Sequence, residues 1–492
     1  MKTNAEKLPS PWVSAIPLAV LTGLLYVVIR AFGGEAINGG SQIALLSATS
    51  VCVMLSIGIY RCRWAVLEEA IIDNIRASAS AIVILLLIGA IAGTWMVSGV
   101  VPTMIYYGLQ ILHPSFFLVS SCVICAVVSL MTGSSWTTIA TIGVALMGVG
   151  QAMGFPEGWI AGAIISGAYF GDKLSLLSDT TVLASSTAGV EVFTHIRYML
   201  YTTVPSMLVA LGVFTVAGLS LEHGASTHAE MYAATLAATF RITPWLLVVP
   251  LATGILIARK LPAIVTLFSS VVFACAAMLL AQPELVARVA GVAELDFMSG
   301  FKGVLMTCFG PTAIPTGTPQ LDELVATRGM AGMLNTVWLI VTAMIFGGVM
   351  EAGHFLERLT SALIRRVHST GGLVTTTAAT CVLFNTTASD QYIAIVIPGK
   401  MFAKAYRRNG LAPEVLSRTL EDAGTATSVL IPWNTCGATQ SSVLGVATLT
   451  YLPYAFFCYL SPLMSILFAW CNIKIRRLVQ TDPGTEAENR NN

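Results

Sequence analysis

The sequence predicts an all-α polytopic membrane protein with inverted-topology repeats, re-entrant hairpins and discontinuous transmembrane helices. Three observations lead to this fold class. Of the 492 residues, 55% are hydrophobic and 10% are charged, whereas about a quarter of the residues in a soluble domain are charged. Apolar windows recur along the whole chain, and some of them contain Gly, Pro and carboxylates in mid-window. Finally, residues of the first half recur in the second half at a nearly constant spacing.

Ordinary spanning windows are uninterrupted and long enough to cross a hydrocarbon core of about 30 Å. They cover residues 12–30, 41–60, 78–99, 196–219, 242–258, 261–281, 330–350 and 447–471. The first window follows Lys2 and Lys7, and no small-residue cleavage site comes after it. It therefore predicts a retained first span and not a removed signal peptide.

Other apolar windows are interrupted by Gly, Pro, Ser, Thr and carboxylates. We expect hairpins at residues 115–150 and 370–403, and broken helices at residues 158–192 and 414–446. Basic residues give the orientation, because cytoplasmic loops carry an excess of Lys and Arg. By this rule both termini are cytoplasmic. The segment 370–403 lies between Arg366 and Lys404, so both of its ends should be cytoplasmic and the segment should enter the membrane and return.

The internal repeat has a spacing of 254 residues. Identical residues occur at this spacing from Ile91, Gly93, Met96, Gly99, Thr132 and Ser135 to Ile345, Gly347, Met350, Gly353, Thr386 and Ser389. The basic residues make window 78–99 run outward and window 330–350 run inward, so the two copies are predicted to be inverted. We divide the chain into a first half (1–240), a second half (241–478) and a polar cytoplasmic tail (479–492). This plan is typical of secondary transporters.

The densest polar cluster covers residues 171–181, between two apolar stretches that are each too short to span a membrane. An ionisable group inside a span costs at least a few kcal/mol, so these side chains need water, a partner or a ligand. The candidate ligands from this cluster, the two hairpin tips and the matching break in the second half are Asp172, Ser175, Ser178, Asp179, Thr180, Thr181, Ser135, Asn385, Asp390, Asn434 and Thr435. Carboxylate, hydroxyl and amide oxygens suit a hard cation.

Two simpler interpretations stay open for this cluster. It could be a solvated loop, and hydroxyls in membrane helices often bond to a carbonyl of their own helix. We choose Asp179, in the expected unwound centre of its crossing and with hydroxyls beside it, as the leading ligand, with Asp390 from the hairpin tip as its partner. The matching run in the second half begins with Glu421 and Asp422. Its Pro432 should leave carbonyl oxygens free to face a cavity.

Four motifs resemble the NhaC family of Na+/H+ antiporters across nearly the whole chain. They are GDKLSLLSDTT at 171–181, PWNTCG at 432–437, LGV at 444–446 and YLPYAF at 451–456. The resemblance implies a secondary transporter and not an enzyme, exchanging internal Na+ for external H+ in a bacterial cytoplasmic membrane. No cofactor is expected, since Na+ and H+ are the transported ions. Asp179 and Asp390 are the expected Na+ ligands, and these two together with Asp172 are candidates for proton coupling.

Alternative functions remain. The first is an exchanger of an organic acid (malate or lactate type) or an amino acid, coupled to Na+ or H+. Its substrate carboxylate would need helix N-termini or an Arg, and no Arg is expected in the predicted core. A channel would need a continuous polar pore, whereas the polar residues here converge on one point. A membrane-embedded metallohydrolase would need a ligand set such as HExxH, and that pattern is absent from the sequence. Expected partners are the lipid bilayer and a small cation or solute. The net charge of +1 does not favour nucleic acid, and a homodimer stays open.

Overall fold

The computed structural model describes residues 9–32, 38–221, 226–259, 261–318, 321–322, 325–364 and 369–478. Over these ranges the chain is helical, and the extended backbone there forms only isolated bridges, Thr312 with Thr327 and Leu411 with Arg477. The all-α prediction is confirmed. The predicted tail at 479–492 lies outside the described residues.

Long apolar helices fill most of the predicted windows. Seven are long and apolar enough to cross a membrane: Pro11–Phe32, Gly40–Gly58, Ala79–Val97, Pro114–Thr132, Val192–Ser220, Ala263–Ala281 and Met330–Ala352. Three helix pairs pass the same test together but are bent at a short break: Glu157–Leu174 with Asp179–Ala188, Glu230–Thr239 with Pro244–Leu256, and Thr448–Tyr454 with Phe456–Trp470. The windows 242–258 and 447–471 therefore belong to bent pairs and not to straight spans.

Shorter helices complete the described chain. They are Trp64–Ala77, Val100–Ile111, Ser135–Thr138, Val144–Ala152, Ser226–Thr239, Val248–Ala258, Pro283–Ala290, Phe297–Phe309, Phe355–Ile364, Thr370–Thr387, Gln391–Arg408, Pro413–Leu420, Ala426–Ser428 and Thr435–Leu444. Two π-helical turns, Ile139–Gly143 and Glu421–Thr425, lie within the helices that surround the predicted site. Such turns occur often at functional sites.

The first hairpin (residues 117–152) turns back at Gly133, whose φ of 68° is in the left-handed region that favours glycine. The Ser134 side chain then caps the returning helix by accepting from the Thr137 backbone N–H. The two ends of the hairpin come together, since Gly150 lies against the Phe117 ring. The first broken helix (residues 157–188) follows, with its break between Leu174 and Asp179 and a bend of 48°.

The second hairpin (residues 370–408) turns at Ser389 and is capped by Asp390. Its two helices pack against each other, and the Tyr406 hydroxyl donates to Thr377 Oγ1 at 3.1 Å. The second broken helix (residues 413–444) has its break between Ser428 and Thr435. Asn434 caps the helix that resumes there. Hairpins and breaks therefore lie in the segments that the sequence indicates.

The two halves share the same order of turns and caps. Left-handed turns and N-caps recur at a spacing of 256 residues in the pairs Gly133 and Ser389, Ser134 and Asp390, Ser178 and Asn434, and Gly189 and Gly445. This spacing differs by two residues from the spacing of 254 found in the sequence. The correspondence supports an internal repeat, while the inverted orientation of the two copies and the boundary at residue 240 stay predictions.

The first hairpin packs tightly on the first broken helix because glycines allow the backbones to approach. A Cβ added at Gly167 would lie 2.0 Å from the Cys122 carbonyl oxygen, and one added at Gly171 would lie 2.2 Å from that of Ala126. Small residues at helix interfaces are typical of membrane proteins. Cys122 and Cys125 are fully buried in this apolar core, where Cys behaves as a small hydrophobic residue.

Candidate ion-binding site

In the first half, the hairpin tip is tied to the broken helix through a carboxylate. Asp172 lies near the end of the helix Glu157–Leu174 and is 8% exposed. Its Oδ2 accepts hydrogen bonds from the backbone N–H of Ser135 at 3.1 Å and from the Ser135 hydroxyl at 2.7 Å. Two predicted site residues from different elements therefore meet directly.

In the second half, an amide cluster joins the corresponding elements. Asn434 Nδ2 donates to the carbonyl oxygen and the side-chain Oδ1 of Asn385, at 3.0 and 3.2 Å. Asn385 Nδ2 donates in turn to the Gly424 carbonyl at 2.7 Å. The Thr435 hydroxyl donates to Asp390 Oδ2 at 3.4 Å. Four predicted site residues thus converge here, and their hydrogen bonds hold the second hairpin on the second broken helix.

The carboxylate of Asp390 caps the N-terminus of the helix Gln391–Arg408. Its Oδ1 accepts from the backbone N–H of Tyr392 at 2.9 Å and of Ile393 at 3.2 Å. A side chain that caps a helix is fixed in one rotamer by these bonds. The geometry therefore gives Asp390 a structural task at the hairpin tip, and its predicted role as an ion ligand stays a prediction.

Asp179 differs from the expectation. It does not lie in the unwound centre but at the first position of the helix Asp179–Ala188, and its side chain is exposed. The expectation that Asp179 lies in the unwound centre is wrong, because the break ends at Ser178 and the helix resumes at Asp179. Its role as an ion ligand stays a prediction. Asp179 nevertheless lies near enough to Asp172 and to the phenol of Tyr392 to interact with both electrostatically.

The remaining hydroxyls of the first break stabilise the break itself. Ser178 Oγ accepts from the Thr181 backbone N–H at 3.4 Å, and Ser175 Oγ accepts from the Leu177 N–H at 3.2 Å. The Thr181 hydroxyl donates to the Lys173 carbonyl at 3.0 Å. These bonds satisfy backbone N–H and C=O groups that have no helical hydrogen-bond partner at the break. Inside a membrane such groups must be paired, because no water is available to bond them.

A buried ion pair connects the two broken helices. Lys173 Nζ lies 2.5 Å from Asp422 Oδ1, and both side chains are fully buried. Hydroxyls of the flanking helices complete the shell of Asp422: Thr202 donates to Oδ2 at 2.8 Å, Ser465 donates to Oδ2 at 2.7 Å, and Ser461 donates to Oδ1 at 3.0 Å. A buried pair with its remaining lone pairs satisfied in this way can persist in a low-dielectric interior.

A second buried carboxylate stands beside this pair. Glu421 is fully buried in the π-helical turn, and its Oε1 accepts from the Thr180 hydroxyl at 3.0 Å. Among the described residues, its Oε2 has no hydrogen-bond partner. Lys173 and Asp172 both act on Glu421 electrostatically. The centre thus has three buried carboxylates, Asp172, Glu421 and Asp422, and one ammonium group, Lys173.

Other polar atoms around the centre are also buried and lack partners within the described ranges. They are Thr439 Oγ1 and both polar side-chain atoms of Gln440, whereas Trp136 Nε1 and Tyr169 OH lie beside the Cys436 thiol. Trp136 follows the first hairpin tip, Tyr169 lies on the first broken helix, and Thr439 and Gln440 lie on the second. Because buried polar groups are normally hydrogen-bonded, this concentration favours water, or an ion with its water, between the broken helices.

The break in the second half differs from the expectation of free carbonyls. The Tyr451 hydroxyl donates to the Val429 carbonyl at 2.7 Å, and the Thr448 hydroxyl lies 3.3 Å from the Gly437 carbonyl. These two carbonyl oxygens are therefore not free, because the motif YLPYAF brings Tyr451 against them. For the carbonyl that Pro432 leaves without its helical donor, the prediction stays a prediction.

The expectation of a core without arginine is also wrong. Arg418 is fully buried one helical turn before Asp422. Its guanidinium group lies 4.6 Å from the centroid of the Tyr198 ring, and no hydrogen bond to it is found within the described part of the chain. Arg418 lies within the predicted broken helix 414–446, where the sequence did not indicate its burial.

The comparisons with known proteins agree with this architecture. A model of the Na+/H+ antiporter family matches residues 167–473, which include residues 167–188 of the first broken helix, the second hairpin and the second broken helix. The chain belongs to the Na+/H+ antiporter family. The match extends over more than half of the chain, so the resemblance found in the motifs is confirmed.

Relatives of this family cover most of the chain. A protein of Alkalihalophilus pseudofirmus, "Na(+)/H(+) antiporter NhaC", is 38% identical over 86% of this chain and 90% of its own length. The NhaC protein of Bacillus subtilis is 33% identical over 83% and 87%. Another Bacillus subtilis member, "Malate-2H(+)/Na(+)-lactate antiporter", is 34% identical over 87% and 89%. The family therefore contains members whose names describe different substrates.

Three residues of the centre were not selected from the sequence: Lys173, Glu421 and Asp422. One signal could have found them. Lys173 lies in the interrupted window of Asp172 and Asp179, and Glu421 and Asp422 lie in the matching window 414–446. Intramembrane charges in such windows face the interior and pair with one another. Pairing an intramembrane Lys with the acidic residues of the other half would have predicted a contact across the repeat.

Proposed function

We propose that this chain exchanges Na+ for H+ across the bacterial cytoplasmic membrane, with both termini on the cytoplasmic side. Membership in the Na+/H+ antiporter family and the names of the NhaC relatives support the substrates. The observation that carries the proposal is the excess of buried carboxylates at the junction of the two broken helices. Asp172 and Glu421 flank an ion pair that neutralises only Asp422.

Competition for these carboxylates couples the two fluxes. An ionised carboxylate without a cation costs several kcal/mol in an apolar interior, so it holds either a proton or a metal ion there. When Na+ binds, the proton leaves, and when a proton returns, Na+ leaves. Because Lys173 already neutralises Asp422, the exchange concerns Asp172 and Glu421. No other energy source is needed for such an exchange.

We therefore propose buried residues as the Na+ ligands in place of the exposed Asp179. Asp172, Glu421 and the Thr180 hydroxyl supply oxygens on the two broken helices, with Ser135 next to Asp172 on the hairpin tip. Oxygen ligands of this kind are those that hard cations prefer. Asp179, exposed and close to Asp172, would attract cations at the entrance to this centre.

Exchange of an organic acid is the second candidate, and one observation favours it. The buried guanidinium group of Arg418 could bind a carboxylate bidentately, and a malate–lactate antiporter is among the relatives. Arg418 already stacks on Tyr198, however, and within the described residues no hydrogen bond joins its guanidinium group to Asp172 or Glu421. We therefore keep the bare ion as the proposed substrate.

Proton flux in vesicles tests the proposal. Everted vesicles with the chain are energised, a pH-sensitive dye reports the gradient, and Na+, Li+, K+, malate, lactate and amino acids are added in turn. Na+ or Li+ should dissipate the gradient and K+ should have little effect. Vesicles with Glu191→Gln, an exposed carboxylate, should behave like the wild type. A requirement for malate, lactate or an amino acid in every Na+-dependent flux would overturn the proposal in favour of the second candidate.

A further inference from the structure

A basic pocket lies at the beginning of the helix Val192–Ser220, away from the buried carboxylates. It has a volume of about 440 Å³, and its walls include Arg197, Tyr198, Tyr201, Lys474 and Arg476. The first three residues belong to the helix, and the last two belong to the segment that follows the helix Phe456–Trp470. The ion exchange described above uses none of these residues.

The charge of the pocket is positive. Within the described ranges, Arg197 and Lys474 form no ion pair, and Arg476 pairs with Glu414 at 2.9 Å. The other nearby carboxylate is Glu191, whose Oε2 accepts from the Thr194 hydroxyl at 2.8 Å. In the part of the chain that the structure describes, two exposed cations therefore remain without counter-charges, which favours an anionic ligand.

The pocket is held in shape by hydrogen bonds. The Tyr198 hydroxyl donates to the Lys474 carbonyl at 2.6 Å and accepts from the Arg476 backbone N–H at 3.2 Å. The Lys474 ammonium lies 5.2 Å from the centroid of the Tyr201 ring. Arg418 supports the far side of the Tyr198 ring. Because these contacts fix both walls, the cations are positioned before a ligand arrives.

An exposed apolar stripe leads away from the pocket along the same helix. Tyr201, Val204 and Leu208 are 44%, 38% and 64% exposed, and they follow Arg197 by four, seven and eleven positions, which places all four on one helical face. At about 1.5 Å per residue, Leu208 lies about 16 Å along the axis from Arg197, close to half of a hydrocarbon core of about 30 Å. This distance therefore matches the thickness of the hydrocarbon layer of one leaflet.

We propose that the pocket binds the headgroup phosphate of an anionic phospholipid, whose acyl chain lies along Tyr201, Val204 and Leu208. Arg197 and Lys474 hold the phosphate, because basic pockets at the membrane surface recognise anionic headgroups and guanidinium groups bind phosphate oxygens. The basic residues here also mark the predicted cytoplasmic side, so the lipid belongs to the cytoplasmic leaflet.

Lipid titration of the purified chain tests this site. Native mass spectrometry in detergent measures the binding of phosphatidylglycerol to the wild type, to the double variant Arg197→Gln/Lys474→Gln and to the matched control Arg407→Gln/Arg408→Gln. The control removes two exposed cations at the end of the second hairpin. The first double variant should bind about 30-fold more weakly, since each basic residue near an anionic lipid strengthens binding roughly fivefold. The control should change less than about threefold, because Arg407 and Arg408 do not line the pocket and so do not contact a lipid held there.

Two further arms separate the sources of the phosphate. Val204→Ser/Leu208→Ser keeps the cations and removes the apolar stripe, and it should weaken lipid binding. Inorganic phosphate should compete poorly at millimolar concentration. Equal weakening in the Arg407→Gln/Arg408→Gln control would overturn the site as a specific one. Strong competition by inorganic phosphate, with no effect of the serine variants, would overturn the lipid and assign the pocket to free phosphate.

Discussion

Lys173 of the first broken helix and Asp422 of the second form a fully buried ion pair, with 2.5 Å between Nζ and Oδ1. The two residues are 249 positions apart in the chain. Removal of one partner leaves a buried charge without compensation, which costs about 3–5 kcal/mol. The pair therefore links the two halves at the point where their helices are interrupted.

A double-mutant cycle measures this link. Lys173→Met and Asp422→Asn should each lower the midpoint of thermal unfolding in detergent strongly, because each leaves an unpaired buried group. The double variant should recover much of that loss, since no charge of the pair remains. The matched control is Arg76→Met, which removes an exposed pair between Arg76 and Asp73 and should cost at most about 1 kcal/mol. Strictly additive losses would contradict a direct pair.

Glu421→Gln should abolish most Na+-dependent proton flux while the protein stays folded. The amide keeps the side-chain shape and the bond from Thr180, but it can neither carry the exchanged proton nor neutralise Na+. Flux in everted vesicles is the measurement, and the retention volume on size-exclusion chromatography checks folding. Unchanged flux with an unchanged apparent affinity for Na+ would remove Glu421 from the centre.

Asp179→Asn separates the sequence-based hypothesis from the structural one. If Asp179 is the leading ligand, the variant loses Na+-dependent flux. Its exposure predicts a milder result, in which the maximal rate is kept and the apparent KM for Na+ rises several-fold, because an entrance charge acts on local ion concentration. Vesicles with Glu191→Gln are the control. A complete loss of flux would return the leading role to Asp179.

Cysteine labelling tests the re-entrant second hairpin. Single cysteines at Ser369 and Lys404, both exposed, should react with a membrane-impermeant reagent from the same, cytoplasmic side. The background should carry serine at the cysteines that are not buried, which are Cys62, Cys275, Cys308 and Cys471. A cysteine at the exposed Glu230 should label from the opposite side. Reaction of Ser369Cys and Lys404Cys from opposite sides would make the segment an ordinary span.

Gly171→Ala should destabilise the contact between the first hairpin and the first broken helix. The added Cβ would lie 2.2 Å from the Ala126 carbonyl and 2.6 Å from the Leu130 nitrogen, and overpacking of this kind costs about 1–3 kcal/mol. A lower midpoint of thermal unfolding is expected. Gly212→Ala is the matched control, since nothing lies within 4 Å of its added Cβ. It should leave the midpoint unchanged or raise it, because Ala favours helix over Gly.

Local sequence was sufficient for the class of the protein and for the position of its interrupted elements. Apolar side chains favour lipid over water wherever they occur in a chain, so long runs of them specify membrane helices. Glycine, proline and capping residues act within a few positions, so Gly133, Ser178 and Asn434 mark turns and breaks that the structure contains. The family could likewise be identified from two short motifs.

Tertiary structure alone decided which charges are buried and which of them meet. Asp172 and Asp179 lie in the same polar run, yet one is buried and the other is exposed, because the break turns the following helix. Arg418 and Lys173 are buried although their immediate neighbours in sequence do not predict it. The burial of a side chain and its long-range partner depend on how distant helices pack, and no window along the chain contains that information.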